Sequence, residues 1–153
     1  DLILAVESLA YAEDLEATVT RIHTALNPGG LFLMVDDWLV SAVPRHDRDT
    51  RAICHLWGRR ALYDWPAGAQ VFHRQRLALV EDLDLTEQVP ASHRPPAGVR
   101  KDLLAASAGA LPGITAKAVC NAFLGGWHLE NLYWRGLATY RFTVLRKRAD
   151  DAA

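Results

Sequence analysis

Two short, wholly apolar runs are the most regular feature of the first forty residues. They cover residues 1–6 (DLILAV) and 31–35 (LFLMV). Unbroken apolar runs of this length are typical of strands that are covered on both faces, as in a parallel sheet. The pattern therefore predicts two buried strands.

The segment between these runs has the period of a helix. Its apolar side chains recur three and four positions apart, at Leu15, Val19, Ile22 and Leu26. Asp14 stands where an N-cap is expected, and Pro28 with the glycine pair at 29–30 ends the segment. Strand, helix and strand in this order predict a βαβ unit with a right-handed crossover.

The rest of the chain predicts shorter, less regular elements. A helix with Ile53 and Trp57 on one face is interrupted by Pro66 and Gly68. The further predictions are a short helix over 69–76, a strand over 77–86, an irregular proline-rich stretch over 89–98, a helix over 99–111, a helix over 116–136 and a strand over 137–147. Gly125 and Gly126 are expected to kink or interrupt the helix over 116–136.

Composition narrows the class of protein. The chain has 153 residues, half of them hydrophobic, and a formal net charge of -1. This length favours one domain, and the near-neutral charge disfavours nucleic acid and membrane surfaces as partners. Two cysteines and the lack of a signal or spanning segment predict a soluble cytoplasmic protein. Because the chain begins inside an apolar strand, we expect it to be part of a longer protein.

Polar side chains follow both apolar runs. Asp36, Asp37 and Trp38 come after the second run, and Glu7 and Ser8 come after the first. Ligands of open parallel sheets bind outside the carboxyl ends of the strands, so these residues are expected to flank one crevice. The alternative is that the aspartates cap the next segment, as aspartate often does in turns. Trp38 favours a pocket, because pockets combine aromatic walls with a few polar groups.

Other kinds of site have little support in the sequence. Cys54 and His55 are neighbours, and neither they nor the other histidines have the spacing of metal ligands, so no metal site is predicted. No serine stands in the G-x-S-x-G context of a nucleophile elbow. Trp127 and His128, which precede the last predicted strand, are either core residues or part of a pocket wall.

Residues 1–38 resemble the second half of a class I, Rossmann-like, S-adenosylmethionine-dependent methyltransferase. That family has an apolar fourth strand opening with Asp, a loop E-x-L-x-H-x-x-D, a helix ending in L-x-P-G-G and a fifth strand ending in Asp. The matching residues here are Asp1, Glu7, Leu9, Asp14, Leu26, Pro28, Gly29, Gly30 and Asp36. The resemblance extends to residues 77–86 as the sixth strand and to 137–147 as the antiparallel seventh. It implies an α/β fold with the C-terminal part of a methyltransferase domain over 1–148 and a tail over 149–153.

Two departures from the family pattern matter. Tyr11 replaces a histidine, and with a pKa of roughly 10 a tyrosine is a poor base near neutrality, so it either contacts the acceptor or serves as a pocket wall. The glycine-rich cofactor loop G-x-G-x-G is absent from the sequence, as is the acidic residue that would bind the ribose. The N-terminal half that holds most of the cofactor is therefore expected to be missing.

The resemblance implies methyl transfer from S-adenosylmethionine to a small molecule, with this chain as the C-terminal part of a longer enzyme and inactive alone. Glu7 and Ser8 would border the cofactor. Tyr11, Asp37 and Trp38 would border the acceptor, Asp37 would orient or deprotonate it, and Trp127 and His128 would complete the pocket. The alternative is a non-catalytic module that dimerises, or binds a separate N-terminal half, through the exposed edge of its first strand.

Overall fold

The computed structural model describes residues 1–41, 47–89 and 114–149. In these ranges four strands form one sheet: β1 (Leu2–Val6), β2 (Leu31–Leu39), β3 (Leu77–Asp84) and β4 (Ala138–Lys147). The strand order is β1-β2-β4-β3, with β1 parallel to β2 and β4 antiparallel to both β2 and β3. The predicted α/β fold with an antiparallel C-terminal strand is confirmed.

Within the described ranges, four helices accompany the sheet: α1 (Leu15–Ala25), α2 (Arg48–Trp57), α3 (Trp65–Arg74) and α4 (Ile114–Trp134). Single 3₁₀ turns cover Leu9–Tyr11 and Thr86–Gln88. The predicted N-cap of α1 is confirmed, because the Asp14 carboxylate accepts a hydrogen bond of 3.0 Å from the amide of Ala17. Gly29 has a φ of +80° in the turn that follows α1, a conformation that favours glycine.

β2 is longer than the apolar run that predicted it. The strand continues through Asp36, Asp37 and Trp38 to Leu39, because β4 pairs with it along its whole length. The aspartates therefore lie within a strand and do not follow its end. Successive side chains point to opposite faces of a sheet, so Asp36 and Trp38 share one face and Asp37 lies on the other.

Glycine and proline do not interrupt the helices as expected. Pro66 lies in the first turn of α3, where its missing amide hydrogen costs no hydrogen bond. α4 is continuous through Gly125, which leaves room for the indole of Trp57 from α2. Gly68 likewise makes room in α3 for the ring of Trp38. These glycines permit close packing between elements.

The buried apolar residues of the described ranges form two clusters. The larger joins β2 and β4 to the first helix and the third, and it includes Val19, Phe32, Met34, Phe72 and Leu145. The smaller joins the carboxyl-terminal end of β2 to the second helix and the fourth, and it consists of Leu39, Ile53, Leu132, Tyr133 and Ala138. Helices therefore pack on both sides of β2, as expected for a buried strand. The predicted burial of β1 is wrong, because none of its residues is buried and Leu2, Leu4 and Val6 are exposed.

Some predictions fall outside the described part of the chain. The irregular stretch over 89–98 is described only at Val89, the helix over 99–111 is not described at all, and of the tail over 149–153 only residue 149 is described. Among the described residues, no helix is both long enough and apolar enough to cross a membrane.

Candidate functional site

Asp36 and Asp37 are neighbours in sequence with different surroundings. Asp36 is 1% exposed, and its carboxylate accepts hydrogen bonds from the amides of Leu9 at 2.8 Å, Ala10 at 3.3 Å and Asp37 at 3.0 Å. Burial raises the pKa of Asp36, while these amides oppose the rise. Asp36 thus caps the 3₁₀ turn after β1, which precedes it by 26 and 27 positions in sequence. This role is structural, but it differs from the expected capping of the segment that follows the aspartates, because Asp36 lies within β2.

Asp37 lies on the opposite face of β2 and lines a cavity. The hydroxyl of Tyr133, near the end of α4, donates a hydrogen bond to its Oδ1 atom. Burial raises the pKa of Asp37 to about 6; the Asp36 charge contributes to the rise, and the Tyr133 hydrogen bond opposes it. A carboxylate with a pKa in this range is a suitable general base near neutral pH.

Glu7 approaches the same site from the end of β1. Its backbone lies in the left-handed region, with a φ of 47°, and its amide donates to the carbonyl of Val35 at 2.8 Å. The hydroxyl of Tyr140 donates to Glu7 Oε1 at 3.0 Å. Burial, followed by the interaction with Glu7, raises the pKa of Tyr140 to about 12. A non-glycine residue in this conformation is uncommon and often marks a functional segment.

The cavity has a volume of about 670 Å³, within the range of small-molecule sites. It lies between the carboxyl ends of β1 and β2, the C-terminal end of α2 and one face of α4. Its aromatic lining residues are Tyr11, Trp57, Tyr133 and Tyr140. The acidic lining residues are Glu7, Asp37 and Glu130. This position agrees with the general location of ligands in open α/β sheets.

Arg59 is the one cation among the described residues that line the cavity. Its side chain is 6% exposed, and the guanidinium carbon lies 4.6 Å from the ring centroids of both Tyr11 and Trp57. The Nε and Nη1 atoms have no hydrogen-bond partner among the described residues. Its charge lowers the pKa values of Asp36 and Asp37 against the effect of burial.

The structure brings together three of the predicted site residues, Glu7, Tyr11 and Asp37, at the cavity. Ser8 is exposed beside Glu7 but does not line the cavity. Trp38 is 2% exposed and packs edge-on against Trp65 and Phe72 in the larger core cluster. Its expected place in the acceptor pocket is therefore corrected, because the alternation along β2 turns it away from Asp37.

The predicted pocket residues on α4 are also placed differently from expectation. His128 is buried, and its Nδ1 atom lies 2.8 Å from the Asp49 carboxylate of α2. Asn131 and Arg135 donate to the same carboxylate, at 3.2 and 2.8 Å, so His128 belongs to a polar contact between two helices. Trp127 is partly buried with its ring 4.7 Å from that of His128, and it does not line the cavity.

The sequence interpretation did not identify Arg59, Tyr133 and Tyr140 as site residues. A helical pattern on α4 could have identified part of the lining. The cavity-lining residues of this helix recur three and four positions apart: Ala122, Gly126, Leu129, Glu130 and Tyr133. Tyr140 could have been found only from the pairing of strands, because it lies directly opposite Asp37 in the β2–β4 ladder.

Residues able to bind a metal are dispersed in the described ranges. No group of three or more histidine, cysteine, aspartate or glutamate side chains there could hold a metal ion. Cys54 is partly buried in α2, whereas His55 is exposed on the next position of the helix. Burial raises the pKa of the Cys54 thiol, which lowers its reactivity.

No protein-family profile and no curated protein matches the sequence. Solved structures do match the fold. The O-methyltransferase from a trans-AT PKS multienzyme of Brevibacillus brevis, in complex with S-adenosyl-L-homocysteine, has a TM-score of 0.73 and 18% identity over 98% of this chain and 44% of that chain. A protein from Galdieria sulphuraria, assigned as a sarcosine dimethylglycine methyltransferase, has a TM-score of 0.71 and 13% identity over 97% of this chain and 53% of that one.

The chain has the fold of the C-terminal half of a Rossmann-like methyltransferase domain. It spans about half the length of these solved structures. A cyclase, SpnF, also has this fold, with a TM-score of 0.65 and 16% identity over 97% of this chain and 49% of that chain. This fold therefore occurs in enzymes that catalyse more than one reaction, and the fold alone does not determine the reaction of this chain.

The described residues fit one border of an S-adenosylmethionine site. Glu7 is exposed at the carboxyl end of β1 with a left-handed backbone, and exposed Ser8 follows it. Together they offer a carboxylate and a hydroxyl at the crevice outside the carboxyl ends of the parallel strands. The glycine-rich loop that would bind the rest of the cofactor does not occur in the sequence. The cofactor-border position that the family resemblance assigns to Glu7 and Ser8 therefore stays a prediction.

Proposed function

We propose that this chain is the C-terminal part of a longer, cytoplasmic enzyme that transfers a methyl group from S-adenosylmethionine to a small molecule. The observation that carries the proposal is Asp37, a cavity-lining carboxylate whose pKa is raised to about 6, in a methyltransferase fold. The neighbours named as methyltransferases support the reaction, and the cavity volume supports a small acceptor.

Asp37 is the proposed proton acceptor. Bound cofactor would supply an electrophilic methyl group, which the acceptor's oxygen, nitrogen or carbon displaces from sulfur. The acceptor must lose a proton, and Asp37 takes it. Oδ1 is engaged by Tyr133, whereas Oδ2 has no hydrogen-bond donor among the described residues. Oδ2 is therefore the oxygen to which the proton moves.

The tyrosines hold the carboxylates in place. The pKa of Tyr133 is raised above its usual value, by burial first and then by the Asp37 charge. Tyr133 and Tyr140 therefore stay protonated over the working pH range and remain hydrogen-bond donors to Asp37 and Glu7. An in-line displacement depends mainly on such positioning and needs no covalent intermediate. Tyr11, half exposed at the cavity, borders the acceptor in this proposal.

The test uses the full-length form of the protein, S-adenosylmethionine labelled in its methyl group and a panel of small alcohols, phenols, amines and acids. Transfer of label to an acceptor supports the proposal. The Asp37→Asn variant, which keeps an oxygen acceptor for Tyr133 but has no base, should lose about 100-fold in kcat/KM. Glu81→Gln is the control, because it makes the same chemical change at an exposed position on β3.

Absence of label transfer to every acceptor, with S-adenosylmethionine bound, would contradict the proposed reaction. Full turnover by the Asp37→Asn variant would exclude Asp37 as the base while leaving methyl transfer itself intact. The two results are separate, because one depends on the wild-type protein and the other on a single side chain.

A non-catalytic module is the second candidate, and the edge of β1 favours it. Leu2, Leu4 and Val6 are 58%, 62% and 53% exposed, on a strand whose one partner among the described strands is β2. An apolar edge of this kind is a template for pairing with another strand. In the enzyme, preceding strands of the same domain would cover this edge; in the module, a second copy of the chain would.

The coding sequence upstream separates the two candidates. A G-x-G-x-G motif in the same frame, after a predicted strand, favours the enzyme. A stop codon there favours the module. Sedimentation of the full-length protein adds an independent result, because a dimer that dissociates on Leu4→Lys substitution is expected only if no preceding strand covers the β1 edge.

A further inference from the structure

Arg59 has an arrangement that its own protein contacts do not explain. It is buried, it carries a charge, and two of its three guanidinium nitrogens have no hydrogen-bond partner in the part of the chain that the structure describes. A buried charged donor without a partner is costly, so natural proteins normally satisfy such groups with protein, water or ligand. No ion pair within 4.0 Å involves Arg59 among the described residues.

The fold fixes Arg59 firmly in this position. α2 ends at Trp57 and is followed by Gly58, which has a left-handed φ of 64°. The Arg59 amide then donates to the carbonyl of Cys54 at 3.0 Å. The supporting indole of Trp57 donates to the carbonyl of Ala122 at 3.1 Å. The guanidinium is therefore held against the ring by two helices and needs little reorganisation to bind a ligand.

Arg59 has the opposite charge to the Asp and Glu side chains that line the cavity. Glu7, Asp37 and Glu130 are acidic, so an anionic group entering the cavity meets one positive charge among the described lining residues. Its position there is consequently determined by Arg59. The remainder of such a molecule is left to contact the aromatic walls and the Asp37 carboxylate.

We propose that Arg59 binds an anionic oxygen group, a carboxylate or a phosphate, on the methyl acceptor and thereby selects acidic acceptors. This inference rests on the proposed function and adds the substrate class. Guanidinium suits the role because it stays charged, stacks on aromatic rings and donates several hydrogen bonds to planar or tetrahedral oxyanions. The anionic group at Arg59 orients the acceptor so that its reacting atom faces Asp37.

The experiment is an NMR titration of the isotope-labelled full-length protein with inorganic phosphate and with acetate, at constant ionic strength. The Nε–H signal of Arg59 and the indole signal of Trp57 are followed. We expect both signals to shift and saturate together with at least one anion, and acetamide, which is neutral, to have no effect. No saturable shift with either anion would overturn the proposal. The better-bound anion distinguishes a phosphate from a carboxylate acceptor.

The Arg59→Gln and Arg60→Gln variants are a matched pair. Arg60 is the next residue, its side chain is 69% exposed, and it pairs with Glu13 at 3.6 Å outside the cavity. Loss of a charge-assisted contact should weaken anion binding about tenfold or more in Arg59→Gln, and Arg60→Gln should match wild type. Equal weakening in both variants would overturn the proposal. If Arg59→Gln does not fold, the wild-type Nε–H signal decides, because an unshifted signal excludes direct binding.

The cofactor's own carboxylate is another source of the same chemistry, and the titration is therefore repeated with saturating S-adenosylhomocysteine. An unchanged Kd for the anion assigns Arg59 to the acceptor. Competition between the two ligands assigns it to the cofactor and overturns the proposal. The titration requires no turnover, so a failure of methyl transfer would count against the proposed function alone.

Discussion

The hydroxyl of Tyr133 donates a hydrogen bond to the carboxylate of Asp37, and this contact joins the end of α4 to β2. The two residues are 96 positions apart in sequence. The contact places a carboxylate of raised pKa at the cavity and holds it in one orientation.

Asp37 should impose an acid limb on activity. With a pKa of about 6, it is protonated at lower pH, so kcat/KM for methyl transfer should fall about tenfold per pH unit below that value. The Tyr133→Phe variant removes a hydrogen bond that lowers this pKa, so its acid limb should move to higher pH. Initial rates between pH 4.5 and 8.5 measure both effects. An identical limb in the two proteins would separate Asp37 from the proton transfer.

The same carboxylate should cost stability at high pH. Folding raises the pKa of Asp37 from 3.8 to about 6. The contribution of Asp37 to the free energy of unfolding is therefore most favourable below pH 3.8 and is lost as the pH rises through 6. Asp37→Asn removes the buried charge and should stabilise the protein at pH 8 by about 1–2 kcal/mol, with a smaller gain at pH 4. Urea denaturation at both values tests this. A variant that is less stable than wild type at pH 8 would refute it.

Asp36 should be required for folding and not for proton transfer. Asp36→Ala leaves the amides of Leu9, Ala10 and Asp37 without their acceptor, which should cost about 2–4 kcal/mol. Asp37→Asn is the control, because it changes the neighbouring carboxylate but keeps an oxygen that accepts a hydrogen bond. Denaturant unfolding gives both values. Wild-type stability in Asp36→Ala would show that the 3₁₀ turn does not depend on this cap.

Two adjacent glycines of α4 should respond in opposite directions. A Cβ at Gly125 would overlap the indole of Trp57, whereas a Cβ at Gly126 has no atom within 4 Å. Gly125→Ala should therefore destabilise the protein by about 1–3 kcal/mol. Gly126→Ala should stabilise it by up to about 1 kcal/mol, because alanine favours the helix. Thermal unfolding compares the pair, and equal shifts would contradict the packing of α2 on α4.

Local sequence patterns predicted the strands and the helix of the first βαβ unit. The βαβ unit was predictable because its strands are continuous apolar runs and Asp14 caps the helix between them. The end of β2 was not predictable from local patterns, because polar Asp36 and Asp37 continue the strand only through their pairing with β4. That extension also explains Trp38, whose side chain returns to the core by strand alternation.

The candidate site was predictable only on its β1–β2 side. Glu7, Tyr11 and Asp37 follow from the rule that ligands bind at the carboxyl ends of parallel strands. Tyr133 lies on α4 and Arg59 follows the end of α2, and no local period encodes how these two helices pack against the sheet. His128 illustrates the same limit, because its partner Asp49 lies 79 residues away.

The most direct measurement of the central claim is calorimetric titration of S-adenosylmethionine into the full-length protein and, in parallel, into the 153-residue chain. We propose that the cofactor site is divided between this chain and a preceding N-terminal half, a division in which Glu7 and Ser8 offer only one border. This division predicts micromolar binding by the full-length protein and no heat of binding with the chain alone. Absence of binding by the full-length protein would contradict the proposed enzyme. Micromolar binding by the chain alone would contradict the division of the site.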